Sequence, residues 1–95
     1  VFSEIDDISI EWEDEGLVKI KEEGKEVLTR GVWSTIMFLY RDWDASREAY
    51  SDLRVSIRRY RKMGGRYQQQ SKFNISSAKQ AAKITEILQK WYAQG

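Results

Sequence analysis

The sequence predicts an α+β fold: an antiparallel sheet, one C-terminal helix, and an acidic hairpin or arm ahead of them. Three observations predict it. Residues 53–62 and 66–75 alternate in character on either side of Gly64-Gly65, as two strands joined by a tight turn do. Ala81, Ile84, Leu88 and Trp91 recur at helical spacing after Ser77, with Gln80 placed to complete a capping box. At 95 residues the chain suits one domain, and no apolar run is long enough to span a bilayer as a helix.

Along the chain, ISIEW (8–12) alternates weakly and LVKIK (17–21) clearly, with the turn signal DEG at 14–16 between them. EEG at 22–24 reads as a second turn. Residues 27–43, VLTRGVWSTIMFLYRDW, fit either a helical stripe or a strand. Their β-branched and aromatic content and Gly31 favour strand. Residues 44–52 form a polar connection. In 53–62, LRVSIRRYRK, Val55 and Ile57 form a core side, with Arg54, Ser56, Arg58 and Tyr60 opposite. In the returning strand Tyr67, Phe73 and Ile75 fall on one side, while Arg66, Gln68, Gln70, Lys72 and Asn74 fall on the other. One face of the hairpin is therefore expected to show Arg54, Arg58, Lys62, Arg66 and Lys72, with Tyr60 among them.

The net charge of +1 hides a division. Residues 1–26 hold ten acids and three lysines, a net of −7, whereas residues 27–95 hold thirteen bases and five acids, a net of +8. Seven bases and no acid lie between Arg54 and Lys72. The chain divides on this basis into an acidic segment, 1–26, and a basic unit, 27–95. Such separation points to an anionic partner, or to a solvated face whose countercharges come from elsewhere in the fold.

With no histidine and no cysteine, the chain lacks the residues for His-based acid–base work, thiolate chemistry and the common zinc sites. Asp42 and Asp44 share one side of a strand, but a hydrolytic metal site draws on more ligands than two. No enzyme and no cofactor is expected. Basic residues interleaved with aromatics suit single-stranded nucleic acid: cations neutralise phosphates and rings stack on unpaired bases. Two other readings stand beside this one, an RNA-binding domain and a protein-interaction module docking acidic partners through the basic face. An intracellular location, in cytoplasm, nucleoid, nucleus or infected host cell, suits all three.

LRVSIRRY, a Gly-containing turn, a polar-basic strand closing in KFNIS and an amphipathic helix resemble the C-terminal domain of the transcriptional positive cofactor four family. Val55 to Tyr60 match that family's first strand motif, and Phe73, Asn74 and Ile75 fall at its Ile-Ser-Leu. Arg41-Asp42-Trp43 resembles its Arg-Asp-Phe. The likeness covers about residues 35–92. It implies a curved four-stranded antiparallel sheet followed by one helix, a homodimer, and paired channels for single-stranded DNA with little sequence preference. It implies a stacking role for Trp43 and phosphate contacts for Arg58 and Lys72. Arg61 stands where the family has tryptophan, the connection after Trp43 is longer, and Gln68 to Ser71 replace a Pro-Gly-Lys segment. The expected DNA contact set is Trp43, Arg54, Arg58, Tyr60, Arg61, Lys62, Arg66 and Lys72. The expected dimer contacts are Ala81, Ile84, Leu88 and Trp91. The role would lie in replication, recombination or transcription. The acidic segment would then either contact other replication or transcription proteins, fold over the basic face and compete with DNA, or stand free as a solvated hairpin.

Overall fold

The computed structural model describes residues 2–94. β1 (Trp12–Asp14) turns back into the long β2 (Leu17–Thr29). β3 (Trp33–Asp44), the two-residue β4 (Ala49–Tyr50), β5 (Arg54–Met63), β6 (Arg66–Ile75) and α1 (Ala78–Ala93) follow. All pairings are antiparallel. The order is β1-β2-β3-β5-β6, with β4 against the end of β3. The α+β class and the C-terminal helix are as expected, but the curled sheet has six strands rather than four. The acidic segment accounts for most of the difference, since β2 runs unbroken through residues 26 and 27 and pairs along β3.

Local chemistry explains the turns. Glu15-Gly16 and Gly64-Gly65 both sit at positive φ, as the two-residue turns of twisted hairpins require. Gly31 (φ 153°) breaks the stretch expected as one strand over 27–43, so Val27 to Thr29 belong to β2 and β3 begins at Trp33. EEG at 22–24 is not a turn. It lies inside β2, where the register slips between Glu22 and Gly24 and the strand bends without ending. At the helix start the Ser77 hydroxyl accepts from the Gln80 N–H (3.1 Å), as a cap should. The Gln80 side chain reaches back to Ser76 N–H instead of Ser77, one residue earlier than a capping box specifies.

The core lies on the side of the sheet opposite to the expected one. Ser34, Ile36, Phe38 and Tyr40 of β3 are buried with Ser56 and Tyr60 of β5, and Val55 and Ile57 are only half-buried. The cover is the N-terminal arm, residues 2–10. A 3-10 turn at Ile5–Asp7 sets Ile5, Ile8 and Ile10 into one apolar cluster with Ile36, Phe38, Tyr40, Tyr60 and Tyr67. Polar clamps hold the arm down. The Lys25 ammonium donates to the carbonyls of Ile5 (2.7 Å), Asp6 (3.1 Å) and Ile8 (2.8 Å). Glu22 Oε1 accepts from Ser9 Oγ and Ile10 N–H, Asp6 pairs with Arg30, and Tyr67 N–H donates to the Phe2 carbonyl. The arm thus folds over its own sheet, meeting it mainly with isoleucines and carbonyls, with Asp6 paired to Arg30 in the β2–β3 loop.

A second slip, between Arg59 and Tyr60 of β5, pairs Tyr60 with Gln69 and leaves Gln70 over. Strict alternation fails there. Tyr67 joins the core, while Arg66 and Gln68 move to the other face from Lys72 and Asn74.

If the arm is core, Ile8→Ala should destabilise the protein by about 2–5 kcal/mol, the range for a buried isoleucine. The exposed Trp12→Ala should cost far less. Chemical denaturation of the two variants measures both; equal, small losses would show the arm to be dispensable.

Candidate nucleic-acid interface

β5 and β6 form a hairpin whose cations occupy both faces. Cross-strand partners share a face. Arg58 lies directly opposite Lys72, and Lys62 opposite Tyr67, on the side the arm covers further in. Arg61 lies opposite Gln68 on β6 and Trp33 on β3, on the open side with Arg59 and Arg66. Among the described residues Arg58, Arg59, Arg61, Lys62, Arg66 and Lys72 form no ion pair. The Arg58–Lys72 pair places like charges face to face, an arrangement that weakens a sheet unless an anion lies between them.

Two further contacts order this surface. The Arg59 guanidinium lies over the Trp33 ring at 4.6 Å and that of Arg61 at 5.4 Å, with Trp33 43% exposed. Arg58 donates through Nε to Ser56 Oγ and through Nη1 to Gln69 Oε1, both at 3.0 Å, and Ser56 in turn donates to Asn74 Oδ1. Arg58 is thus fixed by neutral partners.

Of the expected contact set, the structure gathers Arg58, Arg61, Lys62, Arg66 and Lys72 on the hairpin. Arg54 and Tyr60 also lie on β5 but are engaged within the fold, and Trp43 lies on β3. Tyr60 is buried beneath the arm at 5% exposure, so the expectation that it lines the basic face is corrected: the apolar arm, absent from any reading of β5 alone, takes up that face. Arg54 pairs with Asp42 (3.2 Å), so its charge is locally met. Trp43 stands ten positions along β3 from Trp33 and packs edge-on against Tyr50 at 5.1 Å. Asp44, beside it, accepts from Ser46 and Arg47, and the Ser46 hydroxyl above all holds its carboxyl below the usual range. Trp33 and Arg59 are additions that the sequence reading passed over. Their signal was available: an exposed tryptophan two residues past a loop glycine, facing a run of arginines. Of the expected dimer contacts, Ala81 and Ile84 are half-buried, whereas Leu88 and Trp91 are exposed.

No protein family model, curated protein or solved structure matches the chain.

The buried phenols give a pH signature. Burial raises the pKa of Tyr60 and of Tyr40 above 10.0, with Asp42 adding to the effect at Tyr40. Both phenols are neutral in folded and unfolded chains below pH 10.0, where their stabilising effect is complete. Above that the unfolded chain loses protons first, so stability should fall as the pH rises through the folded pKa values. Phenolate absorbance should show Tyr40 and Tyr60 ionising only above the pH at which free tyrosine in the same buffer does. Ionisation at the pH of free tyrosine in an intact fold would contradict the buried placement.

Proposed function

We propose that the protein binds single-stranded DNA with little sequence preference through the β5–β6 hairpin, in replication, recombination or transcription. The observation that carries the reading is the set of six hairpin cations without a carboxylate partner among the described residues, including the opposed Arg58 and Lys72. An anionic polymer relieves that repulsion and releases its own counterions on binding. Trp33 supplies the stacking element. It lies directly across β3–β5 from Arg61, the position where the resembling family keeps a tryptophan, so an aromatic ring is offered at the same station from the neighbouring strand. The exposed helix side chains favour a strand-based reader over a groove-reading helix, since α1 carries only Lys79, Lys83 and Lys90, and Lys83 is engaged by Glu86. Tolerance of sequence follows from stacking and phosphate contact, neither of which reads base edges.

Affinities for single-stranded, duplex and bubble DNA across a salt series test the reading. Single strands should bind most tightly, and each phosphate-contacting cation removed, as in Lys72→Ala or Arg61→Ala, should flatten the log–log salt slope by about 0.7. Trp33→Ala should weaken binding by about 1–3 kcal/mol. Arg54→Ala, at an ion-paired site, should change binding least. Equal affinity for single strand and duplex, or no oligonucleotide binding at low salt, would refute the proposal. Competition with RNA of the same sequence separates a DNA from an RNA preference.

A further inference from the structure

The open side of the sheet carries a second exposed aromatic ring besides Trp33. Phe73 on β6 is 51% exposed. The buried residues of β6 are Tyr67 and Ile75, and Phe73, between them, lies outside the core cluster. It stands opposite Ile57 on β5, and Ile57 stands opposite Met37 on β3. Cross-strand partners share a face. A half-buried apolar floor of Ile57 and Met37 therefore runs from Phe73 across to β3. Trp33 lies four residues before Met37 on the same strand, and alternation puts it on the same face. Arg59 and Arg61 follow Ile57 on that face and lie over the Trp33 ring.

Charge gives the floor a direction. On the β2 side it ends at Glu26, opposite Met37, where a phosphate is repelled. On the β6 side Arg59, Arg61 and Arg66 share the face and form no ion pair among the described residues. β6 is also the edge of the sheet. Past Tyr67, which Phe2 bridges, no strand lies beyond it among the described residues. Lys72, the residue before Phe73, points to the opposite face beside Arg58. A polymer that touches both Lys72 and Phe73 has to turn over this edge.

We propose, on the strength of the DNA-binding reading, that Phe73 is a second base-stacking platform and that the single strand crosses the β6 edge onto the open face. Lys72 and Arg58 hold phosphates on one side of the edge. The bases that follow turn onto Phe73 and continue over Ile57 and Met37 to Trp33, where Arg59 and Arg61 neutralise the backbone. The rings stand two strand spacings and four residues apart, about 16 Å. Stacked neighbours in one DNA strand are about 3.4 Å apart. Phe73 and Trp33 therefore hold bases several nucleotides apart, and the apolar floor carries those between. Unpaired bases, flat and apolar on both sides, are the cover that this face accepts.

Fluorescence anisotropy with an oligothymidine of about 12 nucleotides tests the path. Phe73 is exposed, so its variants should fold, with unchanged circular dichroism spectra and the wild-type mass in light scattering. Phe73→Ala should weaken binding about 5–150-fold, the range for one lost base stack. Phe73→Leu keeps an apolar side chain without a ring and should weaken it likewise, whereas Phe73→Trp should bind at least as tightly as wild type. The losses in Phe73→Ala and Trp33→Ala should multiply in the double variant, because the rings hold different bases. Full affinity in Phe73→Ala, beside weak binding by Lys72→Ala and Trp33→Ala, leaves DNA binding standing and overturns the path. Full affinity in Phe73→Leu overturns the stacking role. A fall in mass for Phe73→Ala overturns it too, since a second copy then covers the ring. No binding by the wild-type protein removes the path together with the reading beneath it.

Discussion

Everything else in this structure depends on the contact between the N-terminal arm and one face of the sheet. A single twisted sheet has two faces and cannot bury either alone. Here Ile5, Ile8 and Ile10 close over Ile36 and Phe38, both fully buried, and turn one face into a core. The acidic character of the arm is secondary to this. Its carbonyls, not its carboxylates, receive Lys25, and its acids point outward. Negative charge is thereby kept on the β1–β2 side of the sheet and positive charge on the β5–β6 side, with β3 between them.

That separation gives the hairpin its chemistry. A cation beside a carboxylate is largely spent, as Arg54 is beside Asp42. Arg58 has only neutral partners, and Lys72 faces it across the strand pair. The fold thus holds like charges together at some cost to itself, which is the pattern expected of a surface that meets an anion. The same arrangement leaves the other sheet face only partly covered: Met37, Leu39, Val55 and Ile57 are half-buried and Phe73 is exposed, while Ile75 at its end is buried.

The sequence made the elements legible and the faces illegible. The Gly64-Gly65 turn, the β5 and β6 strands and the Ser77-capped helix follow from local chemistry that any window of the chain displays. Period-two alternation in 53–62 correctly separated Val55 and Ile57 from Ser56 and Tyr60. It did not say which side would be covered, because the cover comes from isoleucines some fifty residues away. Tyr60 was misplaced for that reason. Arg66 was misplaced for another: one extra residue at Gln70 inverts the alternation, and a slip of register carries no signature in composition. Trp33 went unremarked because its meaning depends on Arg59 and Arg61, partners on a different strand.

Native-state hydrogen exchange is the most direct test that the arm is half of the core. The Ile8 and Ile10 amides donate to Ile5 O and to Glu22 Oε1, and the Tyr67 amide donates to Phe2 O. If the arm and sheet form one cooperative unit, these amides should exchange only with global unfolding, at the rate shown by Ile36 and Phe38. Fast exchange in the arm over a sheet that stays protected would contradict the account. It would mean that the β3–β5 face is stable without its cover.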